Sequence, residues 1–484
     1  MALKPTVRQL NKKNSPRTKK KIAATKSLAT SKPVISKQDL VSVLRCLLSD
    51  KLTEVDGGIM TSRLEHDFAM TVGADNSLFV VNDSAALYLI LKKIGIRLGD
   101  EVIVSPLIEP QLWETLRNFG AKIVFCDCDQ DNFSDNFSFS AKLLQKHLSK
   151  KTRLLILSHA FGLAHLETRS LISRIRADFP EIIIIEEALH SLGTLYSHQK
   201  KANHVGTLGD YGLFSLSSHR TLTSAKGAVI IAKCRDDLEE LRALRAPIWG
   251  DFRASIENKR HLALGRVAKK PSFKTWSPKI PASYLTALND VQKKQATKPI
   301  KTDIKSISAA KNENWTSATP NGKKSPPIHE EIIPHHHNNI FTRLDFAPTE
   351  LEAALGCSQL ELLKSFAERR RALIGELEQA VLNKKTIKII GHSTSGANNR
   401  FLPLYFQTGK AIAYERLIRS GMPDTSLHSH TLYGYLEYFK LHGAYNLSRL
   451  KAIENLHRRV LLIPINASIT ANELRSLVTV LKSL

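Results

Sequence analysis

The 484-residue sequence has no apolar run near the about 18–20 residues that cross a bilayer, and its N-terminus lacks the apolar core of a secretory signal. A cytoplasmic location with no transmembrane segment is therefore expected. Cysteine is scarce: Cys46, Cys126, Cys128, Cys234 and Cys357 form an odd, scattered set. That set excludes a disulfide framework and fits a reducing compartment. Cys126 and Cys128 lie in the strand-like "VFCDCD" and are expected to fill a strand; no metal site is expected. The three adjacent histidines His335 to His337 are read as loop, because consecutive side chains converge poorly on one ion. Acidic residues are absent from the first 37 positions and few overall, which leaves a net charge of +25. Nucleic acid, anionic surfaces and phosphorylated small molecules are the partners such a charge favours.

The charge is concentrated in two places. Residues 1–36 are basic, rich in Ser, Thr and Pro and poor in large apolar side chains, and are expected to form a disordered arm; no apolar helical face supports an organelle transit peptide. A Lys-, Ser-, Asn- and Pro-rich stretch without clear elements occupies 246–334 and reads as an insertion or linker. Between them, in 37–245, helical and strand patterns alternate: "SAALYLILKKIGI" is helical, "EVIVSP" a strand, "LWETLRNFG" helical, "AKIVFCDCD" and "RLLILSHAFG" strands, "LETRSLISRIRADF" helical and "EIIIIEEA" a buried strand. Crossover helices between apolar strands imply a mainly parallel sheet covered on both faces, with ligands beyond the strands' carboxyl ends. Residues 335–484 open on a long helix or helix pair after Pro348, and close on a strand, a turn and an amphipathic helix.

The order of "LKKIGIRLGDEVIVSP", "FGAKIVFCDCD", "LSHAFG", "IIEEALHSLG", "GDYGLFSLSSHRTL", "GAVI", "ELEAALGCSQLELLKSFAERRRALI" and "LLIPINASIT" resembles the sugar aminotransferases of the DegT/DnrJ/StrS type, pyridoxal-phosphate enzymes of fold type I. The resemblance implies an α/β fold: a large domain with a mainly parallel sheet between helices (37–245), and a dimer-contact helix with a small C-terminal α/β domain (335–484). It also implies a homodimer, a nucleotide-sugar ligand, and a place in amino- or deoxy-sugar and surface-polysaccharide biosynthesis. The cofactor, if any is held, would be pyridoxal phosphate or pyridoxamine phosphate.

Such chemistry needs a helix N-terminus for the phosphate, an acid at the pyridine nitrogen and a lysine that forms the imine. The family's Gly-Thr phosphate turn corresponds to Asn82-Asp83-Ser84, where Ser84 keeps a hydroxyl but Asp83 brings a carboxylate; an ordinary helix cap is the competing reading. The family's pyridine aspartate corresponds to Glu187, one methylene longer, and His190 falls near the ring hydroxyl; a polar pair at a strand end is the alternative. Ser215 belongs to the same cofactor-facing set by resemblance. The lysine is absent: aligned forward from Phe214, Arg220 takes its place, and counted back from "GAV", His219 does. Arginine cannot form a Schiff base. A histidine at this position resembles the keto-deoxysugar 3-dehydratases, which use it as a base, and Lys226 is a displaced amine six residues beyond Arg220.

Two further positions depart from the family. Its Asn-Tyr-Arg-Met motif reads Asp345-Phe346-Ala347-Pro348, and the aromatic after "SP" is replaced around Glu109 and Pro110, whereas His159 and Gly162 persist. The expectation is a degenerate member that binds or stabilises a partner, such as an active paralogue. The alternatives are a His219-based dehydratase or Lys226-based transaminase acting on a nucleotide-linked keto sugar, and a polyanion binder working through the basic arm.

Overall fold

The computed structural model describes residues 33–53, 58–128, 137, 141–165, 167–196, 203–245, 345–391, 396–420 and 450–484. Most of the basic arm, the 246–334 stretch, His335 to His337 and the His- and Tyr-rich 425–438 lie outside the described residues.

Two helices lead in, α1 (Lys37–Leu47) and α2 (Ile59–Val72), followed by β1 (Ser77–Val80), α3 (Asp83–Ile94), β2 (Glu101–Val104), α4 (Pro110–Asn118), β3 (Lys122–Phe125) and α5 (Ala141–His147). The chain continues through β4 (Thr152–Ser158), α6 (Thr168–Asp178), β5 (Ile183–Glu187), β6 (Tyr211–Ser215), β7 (Ala228–Ala232) and α7 (Arg235–Arg245). The seven strands form one sheet in the order β1-β7-β6-β5-β4-β2-β3. Strands β3, β2, β4, β5 and β6 are mutually parallel, and only β7 runs against its two neighbours.

Burial on both faces explains the unbroken apolar strands. In β4, Leu154 and Ile156 enter a core shared with Leu87, Ile90 and Trp113, whereas Leu155 and Leu157 enter another with Leu171 and Ile175 of α6. Successive residues on a strand point to opposite faces, so one apolar run serves two cores. The uniform strand direction also delivers the β1, β2, β4, β5 and β6 carboxyl ends to one edge.

The long helical pattern near Pro348 resolves into a pair, α8 (Glu350–Glu361) and α9 (Leu363–Val381), divided at Leu362. A smaller sheet follows, built from β8 (Ile387–Ile389), β9 (Phe401–Phe406) and β10 (Val460–Pro464) in the order β10-β9-β8, all antiparallel. With α10 (Ala411–Arg419), α11 (Lys451–Arg459) and α12 (Ala471–Ser483) it completes the described chain. Leu373 and Leu377 of α9 and Leu474, Leu477 and Leu481 of α12 close over it. The architecture is thus a large, mainly parallel sheet between helices with a smaller C-terminal α/β unit.

Buried carboxylates fasten distant segments through helix ends. Helix α2 starts after Gly58, which has no side chain to cap it. The carboxylate of Glu350 supplies the cap from 290 residues away, accepting the Met60 N–H at 2.6 Å and the Thr61 N–H at 2.9 Å. Asp127, just beyond β3, accepts the Ala452 and Ile453 N–H groups at 2.9 and 3.1 Å and so ties α11 to the large sheet. These acceptors satisfy orphan donors that would otherwise be buried unpaired. Glu350→Ala is expected to lower stability by about 2 kcal/mol, read as a fall in the urea midpoint with unchanged m-value.

Candidate functional site

The edge where the parallel strands end gathers side chains from four connections. After β1, Asn82 caps α3 by accepting the Ala85 N–H at 2.8 Å, and the next residue, Asp83, turns its carboxylate toward the strand ends. After β2, Glu109 precedes Pro110 at the start of α4. Glu187 ends β5 with His190 three residues on, and β6 ends at Ser215, with Arg220 on the turn that follows. Arg220 joins them: its Nη1 donates to Glu109 Oε1 at 2.8 Å, its Nη2 lies 3.4 Å from Asp83 Oδ2, and its Nε donates to Ser215 Oγ at 3.2 Å. The guanidinium side chain is only 8% exposed.

His190 completes the group. Its Nε2 contacts Glu109 and lies 2.6 Å from Arg220 Nη1, which stands 3.0 Å from the ring's Nδ1. Burial first, and Arg220 next, push the His190 pKa down to about 4, which keeps it neutral near pH 7. The ring sits between Phe161 and Phe401, with centroids 6.1 and 5.7 Å away. Asn398 holds the backbone beneath it, donating to the carbonyls of His190 at 2.7 Å and Leu192 at 3.0 Å. Gly162 has φ +83°, and a Cβ there would stand 2.2 Å from Asn398 Oδ1, so both conformation and contact require glycine.

Three carboxyl groups share one guanidinium, and their protonation differs accordingly. Burial opposes charge on Glu109, but Arg220 and His190 override it and hold the carboxyl well below the usual range. Burial raises Asp83 against the pull of Arg220 and the Ser215 hydroxyl. Glu187 is raised to about 7 by burial and then by the neighbouring Glu109 charge, while the Leu189 N–H works the other way. Asp83 Oδ2 accepts from Ser215 Oγ at 3.0 Å and from Gln111 Nε2 at 2.9 Å. Its Oδ1 is buried and has no hydrogen-bond partner among the described residues.

Beside this cluster lies a second buried constellation. His159 Nδ1 accepts the His165 N–H at 3.0 Å, so its Nε2–H donates to Glu186 at 2.8 Å. Glu186 also accepts the Tyr196 hydroxyl and the N–H groups of Gly206 and Gly209. Burial resists its charge, yet these donors, His159 foremost, hold its pKa at about 2. This set braces the segment between β5 and β6.

The structure therefore brings together Asp83, Glu187, His190, Ser215 and Arg220. Ser84 lies elsewhere, lining a separate groove with Tyr88 and Phe346. His219 and Lys226 are exposed on the described chain and do not enter the cluster. Phe346 packs on Tyr88 of its own chain at 5.1 Å, and its carbonyl accepts the Val81 N–H at 3.1 Å. Sequence reasoning noted Glu109 as the replacement of an aromatic residue and missed it as the acid that Arg220 pairs with. It also missed Gln111, Asn398 and Arg400; the "EPQ" that opens α4 was the one local signal available.

The DegT/DnrJ/EryC1/StrS aminotransferase family model matches residues 33–266 and 342–482. The chain belongs to this family. Among individual relatives, the spore coat polysaccharide biosynthesis protein SpsC of Bacillus subtilis is 28% identical over 217 residues, covering 45% of this chain and 52% of SpsC. The UDP-4-amino-4-deoxy-L-arabinose–oxoglutarate aminotransferase of Shewanella sediminis is 28% identical over 214 residues, 44% of this chain and 51% of that enzyme. The matched part of the chain thus spans about half the length of these curated relatives. Among solved structures, a putative sugar aminotransferase of Streptococcus pneumoniae in its PMP form superposes with a TM-score of 0.64 at 15% identity, covering 94% of this chain and 97% of that one. At that identity the likeness establishes the fold, which is the pyridoxal-phosphate transferase fold type I of the family's solved members. No helix among the described residues is long and apolar enough to cross a membrane.

Arg220→Met removes the only cation that the described structure pairs with Glu109 and Asp83 and is expected to destabilise the protein by about 3–5 kcal/mol in denaturant unfolding at pH 7. Glu187 has the opposite sign of pH dependence to a salt-bridged acid. Its folded pKa of about 7 lies above the ordinary 4.5, so its protonated form supports the fold below pH 4.5 and that support is lost as pH rises to 7. Glu187→Gln is expected to escape this loss, so that its stability relative to the parent grows between those pH values by roughly 2–3 kcal/mol and levels off above them, measured by urea unfolding across the range.

Proposed function

We propose that this chain is a member of the sugar aminotransferase family that has given up amine transfer and acts as a binding or partner-stabilising subunit. The supporting observation is the Arg220 guanidinium, which stands after β6 bonded to Glu109, Ser215 and His190. By the family resemblance this is the position of the imine-forming lysine. Arginine offers no nucleophilic amine at neutral pH, and here its nitrogens are engaged by Glu109, Asp83, Ser215 and His190.

The residues present do not fit pyridoxal or pyridoxamine phosphate. At the start of α3, where the resemblance puts the phosphate, the Asp83 carboxylate takes the hydrogen bonds of Ser215 and Gln111. Asp83 is 3% exposed, and a phosphate dianion beside a buried carboxylate would be repelled. Lys226 and His219, the two alternative bases, stand exposed outside the cluster.

What the subunit would bind or stabilise follows from kinship. Relatives named for spore-coat polysaccharide and for aminated arabinose place the family's work on nucleotide-linked sugars and surface polymers. A self-dimer or a pairing with an active paralogue keeps the fold useful after the chemistry is lost.

The full chain is to be incubated with pyridoxal phosphate, reduced with borohydride and mapped by peptide mass spectrometry. The expected outcome is no adduct at any residue of the cluster or at Lys226; a stoichiometric adduct at Lys226 would overturn the proposal. In the same assay Arg220→Lys alone is expected to remain unlabelled at position 220, because Asp83 still disfavours the phosphate. Combining it with Asp83→Gly is expected to produce labelling there.

A further inference from the structure

On the far side of the Arg220 turn lies a cleft with about 360 Å3 of empty space, its mouth included. It forms where Pro33 and Val34, the 218–223 turn, the α8–α9 pair and the segments flanking β9 and β10 meet. Its charged lining consists of Arg220, Arg370 and Arg400, and no acidic residue lines it. Ser218, Thr221 and Asn466 add polar groups.

Arg370 and Arg400 differ from two other largely buried arginines among the described residues, Arg245 and Arg220. Arg245, fully buried, pairs with Glu65 at 2.7 Å. Arg220 pairs with Glu109. Arg370 and Arg400 are 2% and 6% exposed, and among the described residues neither forms a salt bridge. Their located bonds run to backbone carbonyls: Arg370 Nε to Asn398 at 2.9 Å and Arg400 Nη1 to Arg220 at 3.0 Å. Arg370 Nη2 and Arg400 Nε are buried donors without a hydrogen-bond partner in the described structure. Buried donors are satisfied in nearly all folded proteins, and a buried charge is paired or neutralised. Two guanidinium groups with spare N–H donors thus line a cleft without an anionic partner among the described residues.

We propose that this cleft binds a phosphate group, held by Arg370 and Arg400 as a charge-matched dianion. Guanidinium groups bind phosphate through paired, charge-assisted hydrogen bonds, and two uncompensated cations match two negative charges better than one carboxylate does. The cleft is narrow, so only a compact anionic head is expected to enter it while any larger body extends to solvent. Burial, with Arg370 and Arg220 adding to it, lowers the Arg400 pKa to about 9, as a cation without a counter-ion behaves. Because the Arg220 backbone carbonyl accepts from Arg400, the anion site adjoins the Arg220 cluster while using different side chains. The inference therefore does not rest on the loss of amine transfer.

Isothermal titration of the full chain at fixed ionic strength tests this with three probes: inorganic phosphate, glycerol 2-phosphate and acetate. Saturable, one-to-one binding of inorganic phosphate is expected. It should weaken at least tenfold in Arg400→Gln and, because that change could impair folding, also in Ser218→Glu, which adds a carboxylate to the lining and leaves both arginines in place. Glycerol 2-phosphate binding as tightly as phosphate would support the site and assign it to the head of an organic phosphate; binding of phosphate alone would support it as a site for the free anion. Absent phosphate binding, binding unaffected by Ser218→Glu, or acetate binding as tightly as phosphate would each overturn the proposal.

Discussion

Parallel strands that end at one edge bring their connecting segments together, and in this protein three of those segments bring a carboxyl group. Asp83, Glu109 and Glu187 are all buried there, with one guanidinium, Arg220, to offset them. Uncompensated burial of an ionised carboxylate is costly enough that the groups must pair or take up protons. Glu109 is held ionised by Arg220 and His190, burial raises Glu187 to about 7, and Asp83 is shifted upward by burial against the pull of Arg220. The arrangement of α3, α4 and the turn after β6 depends on that balance, because each supplies one member of it.

The same turn connects the two sheets. Arg400, at the start of β9, donates to the Arg220 carbonyl, and Asn398 two residues earlier holds the backbone at His190 and Leu192. Phe401 packs against the His190 ring. The smaller sheet thus closes over the edge of the larger one through polar contacts and one aromatic face, with Asp127 fastening α11 on the other flank. At this edge Asp83, Glu109, His190, Ser215 and Arg220 form a set of internal contacts.

Much of the architecture was legible in the sequence. The apolar run before Glu186 and Glu187 could only be a strand buried on both faces, and the periodicity from Ser84 onward placed α3 to within a residue or two. The pattern after Pro348 left one helix or two open, because Leu362, where they divide, carries no Pro or Gly signal. The site was less legible. The pairing of Arg220 with Glu109 joins residues 111 positions apart, and nothing local to "IEP" says that its glutamate faces a guanidinium. His219 and Arg220 are adjacent, and which of them turns inward depends on the backbone after β6 and the partners waiting for it.

By itself the sequence determined most of the strand and helix content, the mainly parallel sheet and the family. Periodicity and residue identity are properties of short segments, so they survive without coordinates. Only the tertiary structure decided that Arg220 lies inside and His219 outside, that Asp83 takes the Ser215 hydroxyl, and that Arg370 and Arg400 line a cleft without a carboxylate. Those outcomes are set by distance and by the low polarity of the interior, which act between groups that the chain brings together only on folding.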